Sequence, residues 1–265
     1  MSRRPTSKVY GALIFDLMGT CTNWSVSIIA ALRRQCANAP SALPNLQAED
    51  DLKSFASDWR TGFFREIHRR FEDGEAQEDI DVTHRRVLDQ LLARPDTLVP
   101  LNTWGDAVRT ELVESWHHQE AWPDAIEGLQ RLGEQFFVVV LANGTTRLQL
   151  DLMRSSGLTF HALFSSQLLG LTKPDPKIYQ KVLELLQLDP EDCIMVAAHA
   201  YDLRAAATVG LRTAYVHRAT EDLHEDMALV RRENSIFVSG TDGGRDSGLN
   251  ALADILCPRI QVDTV

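Results

Sequence analysis

The sequence lacks any cysteine pair spaced for chemistry or bridging: Cys21, Cys36, Cys193 and Cys257 stand far apart, with no CxxC and no Cys/His zinc spacing. This excludes a disulfide scaffold and a zinc module, and the four are read as reduced thiols, mostly buried. It also lacks an excess of positive charge. A net charge of -10 disfavours a nucleic-acid partner, which needs a basic surface to release counterions. Pairs such as Arg69-Arg70 and Arg231-Arg232 lie beside acids and read as solvated helix faces. No apolar run approaches the length of a membrane span, so no membrane partner is expected. The opening MSRRPTSKVYGALIF runs into a short apolar segment broken by Asp16, a poor signal peptide. The expectation is a soluble, cytoplasmic globular protein.

What is present is a chain of 265 residues, 44% hydrophobic, enough for one large domain or a core carrying a smaller second one. Residues 9–17 (VYGALIFDL) form an apolar run ending in a carboxylate and a Gly-Thr turn, as a buried parallel strand ends at a site. Three similar runs follow much later, at 136–141, 193–196 and 213–216. Helical patterns at 124–132, 146–156, 176–186 and 201–209 separate them. Strand and helix alternating in this way predict an α/β fold with a Rossmann-like parallel sheet, its ligands at the carboxyl ends of the strands.

Between the first run and the second lie about a hundred residues with almost no strand-like alternation, far beyond ordinary loop length. Helical spacing covers 25–37, 48–71, 82–92 and 106–118, the second of these ending at Asp73-Gly74. The prediction is an inserted all-helical domain at 25–118 on a core made of 1–24 and 119–265, hinged near Asn23-Trp24 and at 120–123. The Gly- and Ser-rich stretch 239–248 reads as a loop before a last helix near 249–256, and carries no assigned function.

In their order, FDLMGT, LANGTT, KPDPKIY and MVAAHAYDLRAAATVGLRTAYVHR, with helices after the first, resemble the haloacid dehalogenase superfamily and more closely its (S)-2-haloacid dehalogenase branch. The likeness covers 10–218 and reaches the insertion through Trp59-Arg60. It implies that fold with a helical cap, and a hydrolase whose Asp16 forms an ester that water then opens. Thr20 would bond the Asp16 carboxylate and fix its rotamer. Cys21, though near, has nothing around it to activate a thiol.

Two departures from the superfamily's phosphatases bear on the reaction. Those enzymes resemble one another in carrying a second Asp two residues after the nucleophile to protonate a departing alkoxide; here Met18 stands there, and it donates no proton. A halide leaves without one. Met18 also departs from the dehalogenases, which have an aromatic residue there, while keeping the site apolar. Ala198 stands where phosphatases supply a magnesium carboxylate, so a Mg²⁺ site reduced to Asp16 and Asp202 would be weak and no cofactor is required. Asp202 can position Lys173 or the hydrolytic water, or serve only as a helix N-cap.

By the same resemblance, Lys173 in LTKPDP lies beside Asp16 and holds it ionised. Tyr179 touches the site or is a core tyrosine. Asn143 donates to the substrate carboxylate or to Asp16, and Ala142 replaces the serine usual before it. His199 replaces an asparagine; it can donate as asparagine does or take a proton from the attacking water. Arg60, next to Trp59 and near Phe63-Phe64, would receive the halide or hold the substrate carboxylate, unless it is a solvated helix residue.

The expected reaction is hydrolysis of a carbon–halogen bond in a small 2-haloalkanoic acid. The alternatives are a superfamily hydrolase acting on a phosphate ester or a larger metabolite, and a non-catalytic binding protein of the same fold. The partner expected is a small-molecule substrate, and a homodimer stays open.

Overall fold

The computed structural model describes residues 11–38, 46, 48–76, 78–99, 103–241, 244 and 246–258. Val9 and Tyr10 of the first apolar run, and positions 242, 243 and 245 of the Gly- and Ser-rich loop, lie outside the described residues.

The chain enters through β1 (Ala12–Phe15), whose four residues are all buried, and reaches Asp16 one position beyond the strand. A short β2 (Thr22–Asn23) leads into four helices: α1 (Trp24–Asn38), α2 (Glu49–Glu72), α3 (Ile80–Leu92) and α4 (Asp106–Glu114). A 3₁₀ turn, Ser115–His117, and β3 (Glu120–Ala121) bring the chain back. β2 and β3 pair antiparallel, Thr22 opposite Ala121. The two crossings between helices and sheet are thereby tied together where hinges were expected.

The rest alternates helix and strand: α5 (Ala125–Gly133), β4 (Phe137–Ala142), α6 (Thr146–Ser156), β5 (Ala162–Ser165), α7 (Ser166–Leu169), α8 (Pro176–Leu186), β6 (Cys193–Ala197), α9 (Ala200–Thr208), β7 (Arg212–His217), α10 (Met227–Glu233), β8 (Ile236–Ser239) and α11 (Gly248–Leu256). Local chemistry marks the ends. Thr145 caps α6 by accepting from the Leu148 amide, and Gly157 closes it in left-handed backbone. Asp175 caps α8, with Pro176 at its first turn.

Six parallel strands run in the order β5-β4-β1-β6-β7-β8, so β1 is central, between β4 and β6. Its residues alternate sides: Leu13 and Phe15 join one apolar cluster with α5, α6 and α11, while Ala12 and Ile14 join another with α8 and α9. Sequence reading found four of these strands and missed β5 and β8. Both run along the sheet margins and are largely half-buried, so neither carries the continuous apolar run of a central strand.

The four inserted helices close around a cluster of their own, with Trp59, Trp104 and Trp116 at its centre. Each large apolar side chain buried there contributes about 1.5–3 kcal/mol. His84 is fully buried in it, stacked on Phe63 at 3.9 Å and on Trp116 at 4.2 Å, and burial then Arg60 keep its imidazole well below the ordinary histidine range. It packs as a neutral ring. Met18 touches both this cluster and that of the sheet.

Candidate active site

Asp16 sits at the carboxyl end of the central strand, its amide still bonded to the Val196 carbonyl at 2.9 Å, and the residue is 6% exposed. Three side chains hydrogen-bond it. Lys173 Nζ donates to Oδ1 at 2.8 Å; Thr20 Oγ1 donates to Oδ2 at 2.7 Å; His199 Nδ1 lies 3.1 Å from Oδ2. The Ala198 amide donates to the Thr20 hydroxyl at 2.9 Å, which leaves the hydroxyl proton for Asp16 and fixes its direction. Burial alone would push the Asp16 carboxyl up, but Lys173 and His199 hold it well below the ordinary carboxylate range. The group is an anion at any working pH.

Lys173 is 1% exposed and bridges two carboxylates, donating also to Asp202 Oδ2 at 2.5 Å. Burial opposes its charge, but Asp16 and Asp202 hold the ammonium well above the lysine range. Burial in turn raises Asp202, against the pull of Lys173. Asn143 grips the Lys173 backbone from both ends, its Nδ2 donating to the carbonyl at 3.0 Å and its Oδ1 accepting from the amide at 2.9 Å. One of its two N–H donors thus holds Lys173 in place, and no donation to Asp16 is formed. Of the two readings of Tyr179, its position fits the core tyrosine and not the substrate-contacting one. Its hydroxyl donates to Asp202 Oδ1 at 2.5 Å, from a fully buried position behind the lysine. The tyrosine that faces Asp16 across the cavity is Tyr201.

His199 is 3% exposed and held at both nitrogens, Nε2 lying 2.7 Å from Glu221 Oε2. Burial works against its charge, yet Asp16 and Glu221 push its pKa up to about 10. At neutral pH both nitrogens carry hydrogen, so in this state the ring is a donor. Arg60, from α2, is 5% exposed; its Nη1 points at the Met18 sulfur at 3.1 Å and its Nη2 at the Met18 carbonyl at 3.3 Å. The guanidinium lies 4.3 Å from the Phe64 ring and 5.5 Å from that of Trp24. It is not solvated.

Glu221 escaped the sequence reading. Its carboxylate, fully buried, pairs with Arg60 Nη2 at 3.3 Å and His199, and accepts from Trp24 Nε1 at 2.5 Å. Burial would raise it, but Arg60 and His199 bring it below the glutamate range. The only sequence signal was its place four residues after β7, at the same sheet edge as Asp16. Arg218 and Asp124 were missed as well: they form a fully buried bidentate pair at 2.7 and 2.8 Å, and Arg218 Nε donates to the Thr20 carbonyl at 3.1 Å. This pair ties the turn after Asp16 to α5 and to the loop carrying Glu221.

Asp16, Met18, Arg60, Asn143, Lys173 and His199 meet at one cavity of about 40 Å³, walled by apolar groups such as Phe63, Ile67 and Ile80. Thr20, Tyr179 and Asp202 stand behind it. Beyond Arg60, Phe64, His199 and Tyr201 opens a wider chamber of about 510 Å³, which reaches Asp58, Asp222 and Glu225. Cys21 is buried, its thiol pushed well up by burial and then by Asp16, so it has no nucleophilic character.

The donor set does not suit a magnesium ion. An ammonium already bridges Asp16 and Asp202, Ala198 offers no oxygen side chain, and among the described residues no group of three or more His, Cys, Asp or Glu side chains is placed to hold a metal ion. No helix among the described residues is long and apolar enough to cross a membrane.

The parallel sheet, with helices inserted after its central strand, thus carries at that strand's carboxyl end an aspartate held ionised by Lys173 and His199. The model of the haloacid dehalogenase-like hydrolases matches residues 10–210, and the chain belongs to that family. Among curated proteins it is similar to (S)-2-haloacid dehalogenase 1 of Pseudomonas sp. (strain CBS-3), 26% identical over 48% of this chain and 58% of that protein. It is also similar to (S)-2-haloacid dehalogenase 4A of Burkholderia cepacia, 29% identical over 42% of this chain and 49% of that one. The matches thus span about half the length of these curated relatives. Among solved structures, the L-2-haloacid dehalogenase PA0810 superposes with a TM-score of 0.77 at 26% identity, covering 93% of this chain and 98% of that one.

Proposed function

We infer that this hydrolase breaks the carbon–halogen bond of a small 2-haloalkanoic acid through an ester on Asp16. The observation that carries the reading is an aspartate kept ionised by Lys173 and His199 in a small apolar cavity where position 18 offers no acid. An Asp16 oxygen bonds to C2 from the face opposite the halogen while the carbon–halogen bond breaks, and the halide leaves with the bonding pair. No proton is needed, which suits Met18. Water then adds to the Asp16 carboxyl carbon and the bond from that carbon to the substrate-bound oxygen opens. The 2-hydroxy acid departs with the oxygen that Asp16 supplied, configuration at C2 is inverted, and one proton passes to solvent. Lys173 offsets charge as the ester opens.

In this reading residues 25–118 are a cap domain on a core of 1–24 and 119–265, Arg60 is the cap's anion-binding group, and Thr20, Asp202 and Tyr179 hold Asp16 and Lys173 in register. A second reading, the same ester chemistry on a larger, non-halogenated electrophile, draws on the 510 Å³ chamber, whose walls share Arg60 and His199 with the inner cavity. Halide release from each enantiomer of 2-chloropropanoate in metal-free buffer, for wild type beside Asp16→Asn, separates the two. Release from the (S) form by wild type alone supports the first; silence from both proteins refutes it and favours the second.

A further inference from the structure

Arg60 is offered as an anion-binding group, yet the structure has already given it an anion. Glu221 Oε2 stands 3.3 Å from Nη2 and 2.7 Å from His199 Nε2, so one carboxylate holds the arginine of the inserted helices and the histidine beside Asp16 together. Arg60 Nε, buried, has no hydrogen-bond partner. The buried charges balance: Asp16, Asp202 and Glu221 against Lys173, His199 and Arg60.

The fold fixes Glu221 from several directions. The next residue, Asp222, adopts left-handed backbone at φ 51°, and its carboxylate accepts from the Ala200 amide at 2.6 Å, at the start of α9. Thr220 and Trp24 both donate to Glu221 Oε1. The nucleophile turn is shaped to receive it: Gly19 has φ 87°, and a Cβ there would stand 2.5 Å from the Glu221 carboxyl carbon. A merely solvating acid would need none of this.

We propose that Glu221 is a positioning residue that clamps Arg60 and His199 at the cavity and, by neutralising the arginine, keeps its hold on a halide weak enough for release. The proposal rests on the dehalogenase reading for its purpose. Its physical core is anion affinity at Arg60, which is measurable without turnover. Trp24 and Trp116 lie 5.5 and 5.9 Å from the guanidinium, so bromide, a heavy-atom quencher, reports its arrival there through tryptophan fluorescence.

Sodium bromide is titrated at constant ionic strength and neutral pH into wild type, Glu221→Gln and Arg60→Gln/Glu221→Gln. Glu221→Gln is expected to bind bromide about tenfold more tightly than wild type, and the double variant to lose that gain. In turnover, KM for a haloacid falls with kcat in Glu221→Gln and bromide inhibits more strongly, whereas a purely structural role would raise KM. Affinity unchanged or weaker in Glu221→Gln, or a gain that survives loss of Arg60, overturns the proposal. Should Glu221→Gln fail to fold, Glu221→Asp carries the test: its carboxylate is withdrawn by one methylene, a smaller gain is expected, and an unchanged affinity overturns the idea equally. If no haloacid is turned over but bromide tightens through Arg60, the clamp stands and the dehalogenase reading falls.

Discussion

Replacing Lys173 by methionine keeps an unbranched side chain one atom shorter and removes the one cation that Asp16 and Asp202 share. Both carboxylates are buried, and Nζ donates to them at 2.8 and 2.5 Å. Removing one partner of a buried ion pair costs about 3–5 kcal/mol near neutral pH, a fall of about 10 °C in Tm for a chain of this size. The cost depends on pH in a definite direction. In the wild type the Asp16 carboxyl is held below its unfolded value near 3.8, so its contribution is full above that pH and is lost only as pH falls through the depressed folded value. In the variant, burial and mutual repulsion raise at least one carboxyl above its unfolded value, so the folded form takes up a proton that the unfolded form does not. Its stability then rises as pH falls, by up to about 1.4 kcal/mol per pH unit for each such proton. Urea unfolding of both proteins at about pH 5 and about pH 8 reads this directly. The gap between them should be wide at the higher pH and narrow at the lower. A gap that is constant across that range, or absent at the higher pH, would refute the account of Lys173 as the counter-charge of two buried anions.

Arg218→Met leaves Asp124 buried without its counter-charge, and should cost about 3–5 kcal/mol in urea unfolding, part of it recovered when Asp124→Asn is added. An additive double variant would count against the pair as a unit. His117 is bonded to Asp81 on α3 and to Asp151 on α6, and its pKa is pushed up to about 9, by Asp81 first. Because that value is raised, the stabilisation is complete below the unfolded value of 6.5 and lost as pH rises through about 9. His117→Gln should therefore be less stable than wild type in mildly acid solution and match it near pH 10, compared by urea unfolding; an equal deficit at both ends would exclude the charge-dependent link.

The central strands were legible because burial on both faces demands unbroken apolar runs, and the inserted helices because their apolar residues recur at helical spacing. The marginal strands β5 and β8 were not, since half-burial permits mixed composition. At the site, residues inside ordered motifs were found together: Asp16, Lys173 and His199 do meet, as Thr20 meets Asp16. Partners drawn from loops were invisible. Glu221, in ATEDL, has the composition of a solvated turn, and only the path of the chain after β7 turns its carboxylate inward. The pairing of Arg218 with Asp124 spans 94 residues, which no local pattern encodes. Nothing in the sequence marks which side of Asp202 Tyr179 approaches; the structure puts it behind that aspartate, while Tyr201, to which the sequence reading gave no role, lines the cavity.

The tie between Arg60 and Glu221 has a consequence for how the molecule would fail under stress. The reactive cavity is completed by a residue from a helix that belongs to one apolar cluster, pressed against a loop that belongs to the sheet. Opening the inserted helices away from the sheet, a smaller event than melting either, would strip Arg60 from its partner and wet the aspartate. Loss of activity would then report partial opening, and in a warming or denaturant series it would run ahead of the loss of helical signal. The enzyme's own turnover is in that sense a gauge of the seam between its two parts.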